Sequence, residues 1–503
     1  MDKTKSTILQ RYFADEGIGY ANIESYNHFV EKELQNIIEE NREIEPTIIP
    51  HDIDDFKIRF NRIWVEMPDK SGEPKGPTIV EADGSKRPIY PNEARLRKIT
   101  YAAPIWLEVS AHINGVQKES FITQIGSMPV MLKSKYCHLN KLSKEELIEK
   151  GEDPEDPGGY FIVNGTEKVI IQIEDLASNK LMMNKEKIGP SKFIGKLFSE
   201  KGSFKIPHTL EKGSDGIFYL TFTRVKKIPV VVIIKALGIL NDEEIMTSIS
   251  PRNQDDVLVN LYEFIDIKNE EDALDHIAKR IGITQSKEIR IERMKEVLNK
   301  YLLPHLGVND KDKIFKAKNL CKMLKKFIMV YNGELPIDDK DHYSNKRIKL
   351  AGDLLADAVR VNFKVLINDL LYNFQRIVKR GKFPSIKVII REKLLTSRLY
   401  SAMATGVWVG GRKGISQRIE RLNFLQTLSH MQRVISPLSA TQENFEAREL
   451  HSTHFGRLCP VETPEGTNIG LRKNMSLLCK VSLGSDEEKI IPILKDIGLE
   501  SIR

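Results

Sequence analysis

Residues 451–471, His-Ser-Thr-His-Phe-Gly-Arg-Leu-Cys-Pro-Val-Glu-Thr-Pro-Glu-Gly-Thr-Asn-Ile-Gly-Leu, gather imidazole, thiol, guanidinium and carboxylate into one stretch too rich in glycine and proline to build a core. Pro460 and Pro464 fix φ, while Gly456, Gly466 and Gly470 admit tight or left-handed backbone. The segment therefore reads as a rigid surface loop presenting Arg457, Glu462, Glu465 and Asn468, and such loops commonly carry function. Two chemistries could use it. His451, His454 and Cys459 are zinc-ligand types, but a structural site wants four ligands in close pairs and no second pair lies nearby. Glu462 and Glu465 could act as general acid and base, yet three residues across a proline turn fix no distance, and loop carboxylates also cap turns or pair with arginines. On these residues alone the chemistry stays open.

A second group lies upstream. In 408–417, Trp-Val-Gly-Gly-Arg-Lys-Gly-Ile-Ser-Gln, glycines alternate with cations, so Gly410, Gly411, Arg412 and Lys413 could approach a phosphate backbone through N–H groups and charge. It is not a nucleotide-binding Walker loop, because Arg412 follows Gly411 where Lys-Ser/Thr is required; a plain flexible turn is the other reading. Across 374–424 stand twelve Lys or Arg against two carboxylates, Glu392 and Glu420. That excess is a candidate phosphate-facing surface, the alternative being a solvated basic face. His430, three residues before Arg433 on an expected helix, reads as a packed or capping histidine.

The elements that must position these groups are legible in outline. Apolar residues at helical spacing across 8–43 predict one or two amphipathic helices ending before Pro46. Short alternating runs through 57–130 predict antiparallel sheet, and Asn164-Gly165 marks a hairpin within 160–174. Strands are expected from 193 to 234, ending in the apolar run Ile228-Pro-Val-Val-Val-Ile-Ile, followed by charged helical sequence over 242–329. Helical spacing returns over 350–379 and 393–405. The fold class is thus α+β, and 503 residues imply about three domains.

Composition sets the remaining bounds: 41% hydrophobic residues, 29% charged and a net charge of +7 describe an ordinary globular chain. Four scattered cysteines form neither a disulfide framework nor a metal knuckle, and no long apolar span or apolar leader is present, so the expected location is the cytoplasm, with no membrane contact.

The loop at 451–471 resembles a signature of the second-largest subunit of multisubunit DNA-directed RNA polymerases, where it belongs to the fork beside the active centre. Pro-Asn-Glu-Ala-Arg-Leu-Arg-Lys-Ile-Thr-Tyr-Ala-Ala-Pro at 91–104, Gly-Gly-Tyr-Phe-Ile-Val-Asn-Gly-Thr-Glu-Lys at 158–168 and Asp-His-Tyr-Ser-Asn-Lys-Arg-Ile-Lys-Leu-Ala-Gly at 341–352 resemble other landmarks of that family, in its order. The resemblance covers essentially the whole chain. It implies the N-terminal half of that subunit, as in the archaeal form split into two chains whose first is called B double-prime; a truncated piece of a longer subunit is the alternative. The implied domains are N-terminal helices and protrusion over 1–175, lobe over 176–359, protrusion again over 360–415, and fork with the C-terminal end over 416–503.

The same resemblance implies roles. Glu465, with Glu462 and Arg457, would lie near the nucleotide-addition site; Gln417, Arg433, Arg412, Lys413 and Arg448 would face nucleic acid; Ser439, Gln442 and Phe445 would sit on the fork loop at the edge of the transcription bubble. The family has paired arginines where this chain has Gln432 and Arg433, which puts one of two phosphate contacts in doubt. No Asp-x-Asp-x-Asp cluster occurs, so Mg²⁺ is expected on the largest subunit and none on this chain. Expected partners are the second half of the split subunit, the largest and smaller polymerase subunits, template DNA and the RNA–DNA hybrid. Against this stand a free-standing nucleic-acid-binding protein, which would be a stable monomer, and a metallohydrolase built on His451, His454 and Glu465, which would carry stoichiometric metal.

Overall fold

The computed structural model describes residues 3–15, 17, 19–50, 53–69, 74–185, 192–202, 204–223, 225–249, 255–482, 484 and 487–499. These divide into two compact units, one of residues 1–175 and 347–503 and one of residues 176–346. Helices and mainly antiparallel sheets build both, so the expected multi-domain α+β class is borne out.

The first unit is organised by the helix Ala351–Val378, sixteen of whose residues are buried. Against it pack a helical run, Tyr20–His28, a π turn at Phe29–Glu33 and Leu34–Glu39, and an antiparallel sheet in the order Glu43–Ile44, Phe56–Val65, Ala102–Ile113, Val116–Pro129. The helical residues picked out by spacing, Tyr26, Phe29, Val30, Leu34, Ile37 and Ile38, are all buried there. Phe56 stacks on Phe374 with ring centroids 5.0 Å apart, and Phe60 meets Phe363 edge-on at 5.4 Å. Gly352 makes the helix crossing possible: a Cβ there would fall 2.1 Å from the Ser25 carbonyl oxygen.

Asn164 and Gly165 have φ of 51° and 73° and join Phe161–Val163 to Thr166–Ile170, the two-residue hairpin expected of that dipeptide. Asn114 and Gly115, with φ of 48° and 80°, turn Ala102–Ile113 into Val116–Pro129 in the same way, a signal that the sequence reading passed over.

The second unit is a five-stranded antiparallel meander, Met182–Lys185, Phe193–Lys201, Phe204–Lys212, Phe218–Phe222 and Val225–Pro229, covered by helices that include Glu270–Ile281, Lys287–Tyr301 and Lys313–Tyr331. One expectation is corrected here. The run 228–234 is not a strand throughout: after Pro229 it becomes the helix Val230–Ala236, in which every residue is buried. A segment apolar on all sides has no periodicity to separate helix from strand, and burial among other helices overrides the strand preference of valine and isoleucine.

Candidate nucleic-acid interface

The site lies in the first unit. The strand Ser416–Arg418 joins the Asn-Gly hairpin by pairing antiparallel with Thr166–Ile170, with Gln417 opposite Val169 and Arg418 opposite Lys168. Just before it the chain makes a tight loop in which Gly406, Gly410, Gly411 and Gly414 all have φ of 74–77°. Gly406 is obligatory, because a Cβ would lie 2.6 Å from the Ser416 carbonyl oxygen. Trp408 anchors the loop: its indole Nε1–H donates to Leu354 O at 2.8 Å and its backbone N–H to Arg412 O at 2.7 Å. Beside the loop is a cleft of ≈ 740 Å³ lined by Ile171, Ile173, Gly410 to Ile415, Ile435, Pro437 and Ser439.

Of the twelve cations in 374–424, three are committed: Arg391 to Asp369, Arg412 to Asp175 at 3.2 Å, and Arg421 to Asp156 and Glu167. The other nine, Arg376, Lys379, Arg380, Lys382, Lys387, Lys393, Arg398, Lys413 and Arg418, are exposed and have no ion-pair partner among the described residues. Within the stretch itself Glu392 and Glu420 are the two carboxylates, and such an excess of exposed positive charge suits a polyanionic partner. Arg418 is a free cation that sequence reasoning did not single out; its place on the strand next to Gln417 was the available signal.

His430, on the helix Phe424–Met431, is 1% exposed and fastened at both ring nitrogens. Its Nδ1 accepts from the Glu420 backbone N–H at 3.1 Å, so the proton resides on Nε2, which donates to Gln417 Oε1 at 3.1 Å. Gln417 Nε2 in turn donates to Gly414 O at 2.9 Å. Burial, and secondarily the adjacent Arg433, push the imidazole down to about 4, so it is neutral. Glu420 accepts from Gln426 Nε2 and pairs with Arg433 Nη1 at 3.3 Å; these two, Gln426 first, hold its carboxyl below the usual range.

Arg433 begins the strand Arg433–Ile435, which runs antiparallel to Arg472–Asn474 and parallel to the strand starting at Gln172. Lys473 and Glu174, 7% and 3% exposed, form a buried ion pair at 3.1 Å across this sheet. Gln432 caps the preceding helix, and its carbonyl accepts from Met475 N at 3.0 Å.

The 451–471 loop is stitched from within. His451 Nδ1 accepts from Thr453 N at 3.2 Å and His454 Nδ1 from His451 N at 3.4 Å, so each imidazole gives one nitrogen to the turn. Arg457 Nη1 donates to Thr453 O at 2.9 Å. Thr463 Oγ1 donates to Arg472 O and accepts from Gly470 N, both at 2.9 Å. Glu462 accepts from the Ser429 hydroxyl, which ties the loop to the His430 helix. Glu465 is exposed, and its carboxylate has no partner among the described residues.

Arg448 does not face outward as a free charge. It donates to Thr467 O at 2.7 Å, Ile469 O at 3.0 Å and Ala440 O at 2.9 Å, locking the 439–446 turn onto the 466–470 turn. In that first turn Gln442 N donates to Ser439 O at 3.2 Å, and Phe445 stands 72% exposed. Among the described residues no group of three or more His, Cys, Asp or Glu could hold a metal ion, and no helix is long and apolar enough to cross a membrane.

A family model described as RNA polymerase beta subunit matches residues 17–397, and one described as RNA polymerase Rpb2, domain 3, matches residues 417–481. The chain belongs to the RNA polymerase beta-subunit family. Among its relatives, the DNA-directed RNA polymerase subunit Rpo2N of Methanocaldococcus jannaschii is 44% identical over 98% of both chains, and that of Halobacterium salinarum is 39% identical over 100% of this chain and 97% of its own. Subunit Rpo2 of Saccharolobus solfataricus is 42% identical over 98% of this chain, which spans 43% of that longer relative. The expected kinship with the N-terminal half of a second-largest polymerase subunit is therefore borne out. The beta-subunit landmarks at 158–168 and 451–471 fall within the two matched regions, and the free cations, His430 and Arg433 lie between those landmarks in the chain.

Proposed function

We propose that this chain forms one side of the DNA cleft of an archaeal DNA-directed RNA polymerase and part of the wall of its active centre. The observation that carries the reading is the basic, carboxylate-poor stretch 374–424, with nine exposed unpaired cations, on a chain of the beta-subunit family. Such a surface releases counterions from a nucleic-acid backbone and tracks it without reading sequence. In this reading 1–175 and 360–415 are the protrusion, 176–359 the lobe and 416–503 the fork, and the whole works in the cytoplasm.

The reaction is extension of RNA by attack of its 3′ hydroxyl on an incoming ribonucleoside triphosphate, a nucleotidyl transfer in which positioning and charge do most of the work. Lys413 and Arg418 hold the backbone of the hybrid, and Gln417, its amide engaged by His430 and Gly414 instead of facing nucleic acid, positions the strand between them; Arg433 adds a cation paired with Glu420. Arg412 and Arg448 act from behind, fixing the glycine loop to Asp175 and the fork turn to its neighbour. Ser439, Gln442 and Phe445 form the wedge at the strand-separation edge. Glu465 is the exposed carboxylate nearest the addition site, Glu462 is fixed by Ser429, and Arg457 braces the turn between them and the histidines. The Mg²⁺ for this transfer is assigned to the largest subunit; among the described residues of this chain no group of three or more His, Cys, Asp or Glu could hold a metal ion.

A partner is supported by what the chain leaves uncovered. Leu422, Leu425, Phe445, Phe455 and Val461 are between 72% and 91% exposed, all within the same region as the candidate site. So much large apolar surface calls for a covering chain. The second half of the subunit fits that place, with the largest and smaller subunits around it.

The test is reconstitution from separate chains on a primed template. Extension of the primer should require this chain, and the chain alone should extend nothing. Extension by the isolated polypeptide, or equal extension without it, would overturn the proposal.

A further inference from the structure

Two of the stretches that resemble family landmarks, 91–104 and 158–168, converge on the end of the basic segment. Arg95, on the helix Pro91–Leu96, donates from Nε to Glu167 Oε1 and from Nη1 to Glu152, all at 2.9 Å. Arg421, three residues beyond the strand Ser416–Arg418, donates from Nε to the other oxygen of Glu167 at 2.6 Å and from Nη2 to Asp156 at 2.9 Å. The Tyr160 hydroxyl receives both guanidiniums at 2.9 Å. Among the described residues Glu167 is the one carboxylate that touches both arginines.

We infer that Glu167 is a positioning residue that sets the register of the strand carrying Gln417 and Arg418, and through it the placement of the basic glycine loop against nucleic acid. The inference rests on the nucleic-acid reading of that loop.

Glu167 grips the chain twice. Its backbone carbonyl accepts from Ile419 N at 3.1 Å and its side chain holds Arg421, so both sides of one two-residue step are fixed. The next residue, Lys168, donates from Nζ to Ala404 O at 3.0 Å, holding the other end of the loop where the helix Glu392–Thr405 stops. The hairpin bearing Glu167 is itself wedged: a Cβ on Gly165 would lie 2.6 Å from Lys98 Cα.

Register is the property at stake, because slipping a strand by one residue exchanges its faces. Arg418 stands opposite Lys168 and is exposed; a one-residue slip would exchange the strand's faces and turn this free cation away. Removing the charge at Glu167 need not unfold the cluster, since Arg95 keeps Glu152 and Arg421 keeps Asp156.

The experiment compares polymerase reconstituted with the wild-type chain, with Glu167→Gln and with Glu167→Asp. It reads the half-life of stalled elongation complexes across a salt series, together with the melting temperature of the assembled enzyme. Glu167→Gln should shorten the half-life about three- to tenfold, the scale of one ordinary net hydrogen bond, and flatten its salt dependence by about one phosphate contact. Glu167→Asp, which keeps the charge, should recover much of both. A Gln variant that only lowers melting or assembly yield, while complexes that form keep the wild-type half-life and salt slope, would overturn the inference. Wild-type enzyme that transcribes equally well without this chain would instead overturn the functional reading beneath it.

Discussion

His430 Nε2 donates to Gln417 Oε1 at 3.1 Å while His430 Nδ1 accepts from the Glu420 backbone, so one neutral imidazole couples the strand of the basic loop to the turn that holds Arg433. Both ring nitrogens are used in opposite senses, which only the neutral ring can satisfy. The folded chain keeps this group deprotonated down to about 4, whereas an unfolded histidine binds its proton near ~6.5. Below the unfolded value the unfolded state therefore takes up the proton first, and stability falls with pH. The contribution of His430, faced by Glu420 and Arg433, is complete above about pH 6.5 and is lost progressively towards about 4. Melting curves across this range should show a steeper acid loss for wild type than for His430→Gln; parallel curves would contradict the assigned protonation.

The buried pair Lys473–Glu174 offers a double-mutant cycle. Lys473→Met alone removes a charged partner from a carboxylate that is 3% exposed and should destabilise by up to about 3–5 kcal/mol, whereas Lys473→Met with Glu174→Leu should recover part of that loss. Chemical denaturation of the four proteins measures the coupling, and additive effects would mean that the pair is not closed.

Gly470 has φ of 71°, and a Cβ there would lie 2.2 Å from the Arg448 carbonyl oxygen. Gly470→Ala should cost about 1–3 kcal/mol and release the turn that Arg448 ties down. Limited proteolysis should then cut within 439–470 in the variant and spare the wild type.

Arg433→Ala removes one cation that Glu420 only partly neutralises. In reconstituted polymerase it should weaken nucleic-acid complexes most at low salt and reduce the log–log salt slope by about one. A salt-independent loss would assign Arg433 to folding alone.

Glu465→Ala deletes an exposed carboxylate without partners among the described residues, so stability should change by less than about 0.5 kcal/mol. Elongation rate or fidelity should change nonetheless. Unchanged kinetics would remove Glu465 from the active centre.

The sequence disclosed what is local. Periodicity located the helix Ala351–Val378 and the buried face of 20–39, Asn164-Gly165 gave its hairpin, and glycine and proline marked the loop at 451–471. Residues 228–234 misled because uniform burial erases the period by which helix and strand are told apart. The site was legible as a set of residue types but not as a set of states. Nothing near Arg448 signals that it serves carbonyls up to 21 residues away, nor near Arg421 that its partner Glu167 lies 254 residues back. Nor does a lone histidine announce its tautomer. Such pairings exist only once the chain is folded.

The most direct measurement of the central claim is a pull-down of this chain, tagged at its N-terminus, from its native host at moderate salt, with mass spectrometry of the recovered proteins. Stoichiometric recovery of a chain corresponding to the rest of the Rpo2-type subunit, together with a larger chain bearing an aspartate-rich Mg²⁺ motif, is expected. Recovery of this chain alone, as a soluble monomer, would contradict it.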